Sequence, residues 1–339
     1  MIVVCGEALI DLVPTGEPDT YRAVPGGGPA NTAVALSRLG TPARLLCRLS
    51  GDGFGRRLRD HLVASGVDLS LAVEAAEPTT AAVVGLDNSG GAAYQFYVQG
   101  TADWQWAPAE LPAELPPGTR ALHFGTLASI LPPGAEVLRA WAAAQREHAT
   151  VVYDVNVRPV LLPDRARYRA AVDPWLKAAH VVKASDDDLA WLYPERDPLD
   201  TARAWIGDHG LAVVLLTCGA EGAVAVTPSG PPVRVPGFPV KVVDTVGAGD
   251  TFTGALLHAL AARGALPDRT AESGSSAGPD QVSASPGPEF ASRSDLADAL
   301  RFAVAAAAIT CTRAGAVPPT RAEVDGFLRD HEALDGDGR

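Results

Sequence analysis

Two glycine-containing segments hold the residue types best suited to chemistry, and the stronger one lies at 244–254. It reads Asp-Thr-Val-Gly-Ala-Gly-Asp-Thr-Phe-Thr-Gly and precedes an apolar run that predicts a helix. Glycines permit close backbone approach, and free amides at a helix start attract negative charge. We therefore expect Gly247, Ala248 and Gly249 to form an anion hole for a phosphoryl group. Asp250 beside it is suited to accept a proton from an attacking hydroxyl, although an N-cap aspartate with turn glycines explains the same pattern.

The second segment lies at 25–40 and reads Pro-Gly-Gly-Gly-Pro-Ala-Asn-Thr-Ala-Val-Ala-Leu-Ser-Arg-Leu-Gly. Three successive glycines let a loop lie close against a ligand. Asn31 carries both a donor and an acceptor and begins an alanine-rich helical pattern, so it is suited to bind hydroxyl groups. A tight turn with Asn31 as a helix cap is the alternative interpretation.

Other familiar motifs are missing from the sequence. No lysine follows a glycine, which excludes a P-loop nucleotide-binding site, and no G-x-G-x-x-G fingerprint occurs. No H-E-x-x-H or zinc-type spacing is present among the seven histidines. A G-x-S-x-G string at 274–278 lies in a low-complexity stretch, whereas a nucleophile elbow must join a strand to a helix.

Composition restricts the class of partner. The 339 residues are 47% hydrophobic and 20% charged, which is typical of a globular chain. A formal net charge of −12 argues against a nucleic-acid or anionic-membrane partner. The longest apolar run, at 302–310, is well short of the ~20 residues that a membrane helix needs. Four widely spaced cysteines and the absence of a basic leader predict a cytoplasmic location.

Short apolar runs alternate with helical patterns, which predicts an α/β fold with a mostly parallel sheet covered by helices on both faces. The predicted strands are Ile2–Cys5, Arg44–Leu49, Ala121–Gly125, Thr150–Val155, Val181–Val182 and Ala212–Thr217. The predicted helices are Ala30–Leu39, Phe54–Ser65, Ala135–His148, Ala166–Ala178 and Pro198–His209, and then about 249–263, 294–313 and 320–330. An antiparallel meander is expected at Val224–Val226, Val233–Val235 and Lys241–Val243.

One region departs from this alternation. Thr79–Leu86 and Ala92–Gln99 read as two strands joined by a turn. With Leu9–Val13 they predict a small sheet projecting from the main fold, so that the segments at about 9–25 and 76–106 form a lid. The residues at 268–293 are rich in Ser, Gly, Pro and Ala and predict a flexible insertion.

The segments at 25–40 and 244–254 resemble the two signatures of the ribokinase-like (PfkB) carbohydrate kinase family. The opening Cys-Gly-Glu-Ala-Leu-Ile-Asp at 5–11 and the Asp-Val-Asn-Val-Arg-Pro at 154–159 resemble its fructokinase-type branch. The resemblance spans nearly the whole chain, so it implies one ribokinase-like domain over 1–339 with a small β lid.

The resemblance also implies roles for individual residues in a kinase that uses ATP and Mg²⁺. Asp250 would be the base, Gly247, Ala248 and Gly249 the anion hole, and Arg158 a cation near the phosphates. Sugar hydroxyls would be bound by Asp11, Gly27 and Asn31, and Asp154 and Asn156 would line the site with Arg158. The nucleotide would meet Lys183, Ser185, Thr217, Gly219 and Gly222.

Metal sites follow less directly from the resemblance. The family often has Asn-x-x-Glu near magnesium, whereas this sequence has Ser185 and Asp188 in those places. Asp188 is shorter than Glu, Asp186 or Asp187 could replace it, and Ser-x-x-Asp is also a capping box. In members that use potassium, backbone oxygens enclose the cation, and the matching positions here are Asp244, Val246, Cys311, Ala314 and Gly315.

The lid offers a signal about the substrate. No Lys or Arg occurs at 60–119, and an anionic sugar usually needs a cation near it. Gln99, Thr101 and Asp103 suit hydroxyls instead. We therefore expect a neutral monosaccharide, fructose first, phosphorylated by ATP. Ribose, 2-keto-3-deoxygluconate and a nucleoside are alternatives within the family, and a non-catalytic sugar- or nucleotide-binding protein is the alternative outside it.

Five aromatic side chains on or beside the predicted lid have two interpretations. They are Tyr94, Phe96, Tyr97, Trp104 and Trp106. They either stack on the sugar or form a contact between two lids. Because a thin isolated sheet is marginal in water, the second interpretation predicts a homodimer through the lid.

Overall fold

The computed structural model describes residues 1–86, 92–266 and 291–336. The strands in these residues are β1 (Ile2–Cys5), β2 (Leu9–Pro14), β3 (Tyr21–Gly26), β4 (Ala43–Leu46), β5 (Arg48–Ser50), β6 (Val73–Ala75), β7 (Ala81–Leu86), β8 (Ala92–Tyr97), β9 (Ala121–Phe124), β10 (Thr150–Asp154), β11 (Val181–Ser185), β12 (Val213–Thr217), β13 (Ala223–Val226) and β14 (Val233–Val235). The helices are α1 (Gly28–Arg38), α2 (Gly53–Ala64), α3 (Gly134–Ala144), α4 (Arg165–Ala178), α5 (Asp186–Leu192), α6 (Pro198–His209), α7 (Ala248–Ala262), α8 (Arg293–Cys311) and α9 (Arg321–Gly336).

The main sheet has the strand order β14-β13-β12-β11-β10-β9-β1-β4. Its strands pair in parallel from β4 to β12, and β13 and β14 add antiparallel to one side. Both faces are buried because side chains alternate along each strand. Along β1, Ile2 and Val4 pack with α1, α7 and α8, while Val3 and Cys5 pack with α3, α4, α5 and α6. The predicted fold class, a mostly parallel sheet covered on both faces, is confirmed.

A second sheet of four strands, β3-β2-β7-β8, contains the strands that were predicted for the lid. β2 pairs antiparallel with β3 and parallel with β7, and β7 pairs antiparallel with β8. β3 was not expected as a strand, because Pro25 and the following glycines read as a loop. Its place at the sheet edge is one that tolerates proline.

The strand predicted at Lys241–Val243, directly before the glycine motif, is wrong. These residues form no strand, and the Val242 and Val243 side chains are 58% and 59% exposed. The amide of Val243 donates to the carbonyl of Cys311 at the end of α8, at 2.8 Å, instead of pairing with β14. A local apolar pattern could not indicate this long-range partner.

The two tryptophans next to the lid are also placed differently from the prediction. Trp104 and Trp106 are only 2% and 3% exposed and pack in the core cluster of α3 and α4, so neither is available to a sugar or a second lid. Of the predicted insertion at 268–293, residues 268–290 lie outside the described residues. Its last residue, Arg293, begins α8. The turn at 87–91 and the string at 274–278 also lie outside the described residues.

Helices α1 and α7 pack closely against each other, and a glycine permits this approach. A Cβ at Gly254 would lie 2.8 Å from the Cβ of Ala35 and 3.1 Å from the carbonyl oxygen of Thr32. The hydroxyl of Thr32 donates to the carbonyl of Asp250 at 3.4 Å. The contact therefore brings the start of α7 beside the start of α1.

Replacing glycine by alanine should have opposite effects in α7 and α6. Gly207 is exposed in α6, and a Cβ there would meet nothing within 4 Å. Gly207→Ala should raise the free energy of unfolding by about 0.5–1 kcal/mol through helix propensity, whereas Gly254→Ala should lower it by about 1–3 kcal/mol through overpacking. Urea denaturation of both variants measures this, and a shift of the same sign in both would contradict the close helix contact.

Candidate active site

A cavity of about 480 Å³ lies where the carboxyl ends of β1 and β10 face the starts of α1 and α7. We call it the first cavity. Open parallel sheets bind ligands at this edge. The predicted site residues that line it are Asp11, Gly27, Asn31, Asn156, Arg158, Lys183, Asp244, Val246, Gly247, Gly249 and Asp250. Residues from both glycine segments therefore meet in one place.

Asp250 is the third residue of α7, and its carboxylate faces the first cavity. The side-chain amide of Asn31 donates to Asp250 Oδ2 at 2.9 Å, across 219 positions of sequence. Burial raises the pKa of Asp250 to about 6, a rise that the Asn31 hydrogen bond opposes and the Asp154 charge reinforces. A carboxylate with such a pKa is suited to accept a proton near neutral pH.

The start of α7 presents amide donors as the glycine motif predicts, with one difference. Gly247 has a φ of 75° and forms the N-cap, and the amide of Thr251 donates to its carbonyl. The Ala248 amide is already used, because it donates to the Thr245 carbonyl at 3.2 Å. Among the described residues, the amides of Gly247, Gly249 and Asp250 donate to no protein acceptor. These three amides, and not that of Ala248, are available to an anion.

Gly28 is where three side chains of the first cavity converge. A Cβ at Gly28 would lie 2.8 Å from Thr126 Oγ1, 3.2 Å from Asp250 Oδ1 and 3.7 Å from Asn156 Nδ2. The Asn156 side-chain amide donates to Thr126 Oγ1 at 3.0 Å, and Asn156 itself has a φ of 37°. Only a residue without a side chain fits between these groups.

The lid contributes one acid and two aromatic rings to the first cavity. Burial, with a contribution from the charge of Asp250, raises the pKa of Asp11 on β2 to about 6. Tyr94 and Phe96 on β8 stack with their ring centroids 5.9 Å apart, and both line the cavity. The lid therefore offers a polar group beside an apolar surface.

Gln99 and Thr101 do not line either cavity, which corrects their predicted role in substrate binding. Gln99 is exposed. The hydroxyl of Thr101 is buried, donates to the Val98 carbonyl at 3.0 Å and accepts from the Thr80 hydroxyl at 2.7 Å. Asp103 is 1% exposed and accepts the Ala8 amide at 3.0 Å. The Thr101 and Asp103 side chains therefore serve the fold.

Asp154 and Lys183 form a buried ion pair at 2.9 Å. Burial is the largest single effect and disfavours the Lys183 ammonium, but the charges of Asp154, Asp188 and Asp250 and the hydrogen bond to Asp154 together outweigh it and raise the lysine pKa. Asp154 lines neither cavity, so its predicted contact with substrate is replaced by one with Lys183. A Cβ at Gly249 would lie 3.1 Å from Lys183 Nζ, which places the ammonium beside the free amides of α7.

A second cavity of about 720 Å³ adjoins the first. Predicted residues that line it are Asn156, Lys183, Ser185, Asp188, Thr217, Gly219, Gly222, Ala248, Gly249 and Cys311. Asn156, Lys183, Thr245 and Gly249 line both cavities. The shared residues make the two cavities continuous at the start of α7. Phe238 and Val304 make part of the second cavity apolar, a feature that the sequence motifs did not indicate.

Ser185 and Asp188 form the capping box that was the alternative to a metal site. The Ser185 hydroxyl accepts the Asp188 amide at 2.9 Å, and Asp188 Oδ2 accepts the Ser185 amide at 2.8 Å. Asp188 Oδ1 accepts the Val157 amide at 2.7 Å. Both carboxylate oxygens are thus engaged by the protein, whereas Asp186 and Asp187 also line the second cavity.

The loops predicted to enclose a monovalent cation do lie together. The Gly315 amide donates to Asp244 Oδ2 at 2.7 Å, and the Val246 amide donates to Asp244 Oδ1 at 3.0 Å. The Cys311 carbonyl accepts the amides of Val243 and Asp244. Ala314 and Gly315 line neither cavity. Across the part of the chain that is described, no group of three or more His, Cys, Asp or Glu side chains is arranged to hold a metal ion.

Glu7 and Thr126 line the first cavity, although the sequence assigned neither of them a role. Glu7 follows β1, and Thr126 follows β9. Glu7 belongs to the opening motif, and its place after an apolar strand is the signal that could have indicated it. No pattern marked Thr126.

The protein-family comparison decides how this site is to be understood. A model described as pfkB family carbohydrate kinase matches residues 1–323. The chain belongs to the pfkB family of carbohydrate kinases. It is a sugar kinase, as the resemblance of both glycine segments predicted. None of its described helices has the length and apolar character needed to cross a membrane.

Known pfkB carbohydrate kinases resemble the chain along most of their length. A fructokinase of Rhizobium leguminosarum bv. trifolii is 39% identical over 264 residues, which cover 77% of this chain and 79% of that protein. The crystal structure of a double-mutant fructokinase from Vibrio cholerae O395, with fructose, ADP and potassium ion bound, matches with a TM-score of 0.80 at 28% identity, over 96% of this chain and 97% of that one. An aminoimidazole riboside kinase from Salmonella enterica, complexed with aminoimidazole riboside and an ATP analog, matches with a TM-score of 0.76 at 26% identity, over 96% and 99%.

A single added methyl group at Gly28 should damage this carbohydrate kinase site. Gly28→Ala forces Thr126 or Asp250 to move, and misplacement of about 1 Å can cost about 10²-fold in rate. We expect kcat/KM for the sugar to fall by about 10- to 100-fold, measured in a coupled ATP-consumption assay.

Gly51→Ala is the matched control, because a Cβ there would meet nothing within 4 Å. It should keep kcat/KM near that of the unaltered protein. Equal activity in the two variants would mean that Gly28 is not at a crowded point of the site.

Proposed function

We propose that this sugar kinase is a fructokinase, which transfers the γ-phosphate of MgATP to a hydroxyl of fructose. The observation that carries the proposal is the position of Asp250. Its carboxylate lies in the first cavity, while the amide of the same residue belongs to the free donors at the junction with the second cavity. A base and an anion site are thereby adjacent, as phosphoryl transfer to an alcohol requires.

The proposed reaction uses the protein's groups in three ways. Asp250, held by Asn31, orients the sugar hydroxyl and accepts its proton. The amides at the start of α7 and the Lys183 ammonium stabilise negative charge on the transferred phosphoryl group. Arg158 adds a cation that lines the first cavity. The lid excludes water from the acceptor, which limits loss of ATP to hydrolysis.

The second cavity suits the nucleotide. Lys183 and Thr245 lie where it meets the first cavity, and Phe238 and Val304 offer apolar surface to a base. Mg²⁺ in kinase sites is bound by substrate phosphates with one or two carboxylates. Asp186 and Asp187 fit that role better than the engaged Asp188. When bound, Mg²⁺ neutralises phosphate charge.

The comparisons and the lid support fructose as the acceptor. Relatives across most of the chain are named fructokinase, and potassium is bound in one matching fructokinase structure, which supports K⁺ at the Asp244–Gly315 contact here. The lid strands β7 and β8 carry no cation. A nucleoside-like riboside is the second candidate, because the stacked Tyr94 and Phe96 rings could cover an aromatic group.

The homodimer through the lid stays a prediction. Among the described strands, β3 and β8 are the edges of the lid sheet. Tyr21 on β3 and Tyr97 on β8 are 53% and 54% exposed. Exposed aromatic side chains on sheet edges favour a contact between copies, and this supports the prediction.

A panel of acceptors tests the substrate. The purified protein is assayed for ATP consumption with fructose, ribose, aminoimidazole riboside, 2-keto-3-deoxygluconate and fructose 6-phosphate, with and without K⁺. We expect kcat/KM to be highest for fructose, because the cavity offers Asp11 and Asn31 to hydroxyl groups.

A preference for the riboside would favour the second candidate. A preference for either anion would contradict a neutral acceptor and assign Arg158 to the substrate instead. Absence of turnover with tight binding of sugar and nucleotide would favour a non-catalytic binding protein.

Replacing the proposed base tests the mechanism. Asp250→Asn should lower kcat by about 10²–10⁴-fold, the range of general-base catalysis, while fructose still binds by calorimetry. In the unaltered protein the base works only when deprotonated, and burial raises the pKa of Asp250 to about 6. Activity should therefore fall as the pH drops through about 6, and Asp11 titrates in the same range.

Asp208→Asn, on an exposed part of α6, is the control for loss of one negative charge. It should leave both kcat and the pH profile unchanged. If Asp250→Asn kept the rate of the unaltered protein, or if kcat/KM stayed constant between pH 7 and pH 5, Asp250 would not be the base.

A further inference from the structure

Glu7 is a buried acid at the edge of the first cavity that the proposed reaction does not use. It is 1% exposed. Its Oε2 accepts the amides of Thr126 and Ala128 at 3.4 and 3.2 Å, and its Oε1 accepts the amide of Leu127 at 3.3 Å. Three successive amides of one turn thus converge on a single carboxylate, across about 120 positions of sequence.

The carboxylate and the turn depend on each other. Burial raises the pKa of Glu7, and the amides of Thr126, Leu127 and Ala128 oppose that rise by favouring the charged form. Conversely, buried amides without an acceptor are costly. Replacing the carboxylate by a side-chain amide would turn one of its two acceptor oxygens into an NH₂ donor, which leaves at least one amide of the 126–128 turn without its acceptor.

The turn reaches the reacting groups through Thr126. The Thr126 hydroxyl accepts the Asn156 side-chain amide at 3.0 Å. It also lies against Gly28, within the same narrow space as Asp250 Oδ1. A shift of the turn would consequently move two side chains that line the first cavity next to Asp250.

We propose that Glu7 is a positioning residue for the sugar: its carboxylate fixes the 126–128 turn so that Thr126 and Asn156 face the acceptor beside Asp250. The inference rests on the proposed function and deepens it. It places the main effect of Glu7 on the sugar side, since Glu7 and Thr126 line the first cavity and not the second.

Asp103 provides a matched control, because it is a second buried carboxylate that bonds to the loop of Glu7. It is 1% exposed and accepts the amide of Ala8, the residue after Glu7, at 3.0 Å. It has no contact with the 126–128 turn among the bonds of the described chain. A purely structural need for buried acids would affect both carboxylates alike.

The experiment compares Glu7→Gln with Asp103→Asn. Fructose and a non-hydrolysable ATP analogue are titrated by calorimetry, kcat and KM are measured for both substrates, and Tm is recorded. For Glu7→Gln we expect the Kd for fructose to rise about tenfold and kcat to fall about tenfold or more, because a 1 Å misplacement can cost about 10²-fold. The Kd for the ATP analogue should stay within about twofold. Asp103→Asn should lower Tm without this selective loss.

Two results would overturn the proposal. One is an unchanged Kd for fructose in Glu7→Gln, and the other is an equal loss of sugar and nucleotide binding in both variants. Because fructose affinity is measured by binding and not by turnover, the test of Glu7 is separate from the test of the proposed kinase reaction. If the unaltered protein bound fructose but transferred no phosphate, the kinase mechanism would fail, while the effect of Glu7 on sugar affinity would still decide the positioning role.

A second pair of variants covers the case in which Glu7→Gln does not fold. Thr126→Val removes the hydroxyl that accepts from Asn156 but keeps the shape, and Thr126→Ser restores the hydroxyl. We expect Thr126→Val to weaken fructose binding about tenfold, by analogy with a lost hydrogen bond of about 1 kcal/mol or more, and Thr126→Ser to recover it. Fructose binding by Thr126→Val equal to that of the unaltered protein would contradict the link from the turn to the sugar.

Discussion

The burial of negative charge around one cavity is the constraint on which the rest of the structure depends. Glu7 and Asp154 are almost fully withdrawn from water and Asp250 is partly buried, and a buried carboxylate is stable only if donors satisfy it. Each receives a different kind of donor: three backbone amides, a lysine ammonium and an asparagine side chain. These donors come from the ends of different strands and helices. The charges therefore determine how closely those ends must approach.

Asp11 differs from those acids, because it accepts no hydrogen bond from the described chain. Its pKa still rises to about 6 through burial and the charge of Asp250. An unsatisfied carboxylate that faces a cavity is suited to a ligand that supplies a donor, and sugar hydroxyls do so. The same reasoning applies to the amides of Gly247, Gly249 and Asp250 at the start of α7, which donate to no acceptor in the described residues. At the first cavity, the Asp11 carboxylate and these amides are thus polar groups that two substrates would satisfy.

Local sequence predicted most of the architecture, and long-range contacts account for what it did not predict. Apolar periodicity and glycine placement located the main sheet, the lid strands and the starts of α1 and α7, because these depend on neighbouring residues. The strand expected at Lys241–Val243 was wrong because its amide bonds to α8, far along the chain. The roles of Asp154, Thr101 and Glu7 likewise depend on partners at least 20 positions away. Residue type alone shows that a carboxylate can accept a hydrogen bond. It does not show whether another group of the protein already donates to that carboxylate.

The capping box at the start of α5 connects the two cavities through hydrogen bonds of Asp188. Asp188 binds the Ser185 amide in the second cavity with one oxygen and the Val157 amide with the other. Val157 lies between Asn156 and Arg158, which both line the first cavity. Through this carboxylate, the start of α5 at the second cavity is bound directly to the segment that lines the first cavity. Since a one-methylene-longer glutamate would displace one of these bonds, the shorter aspartate suits a link between the two cavities better than direct contact with a metal ion.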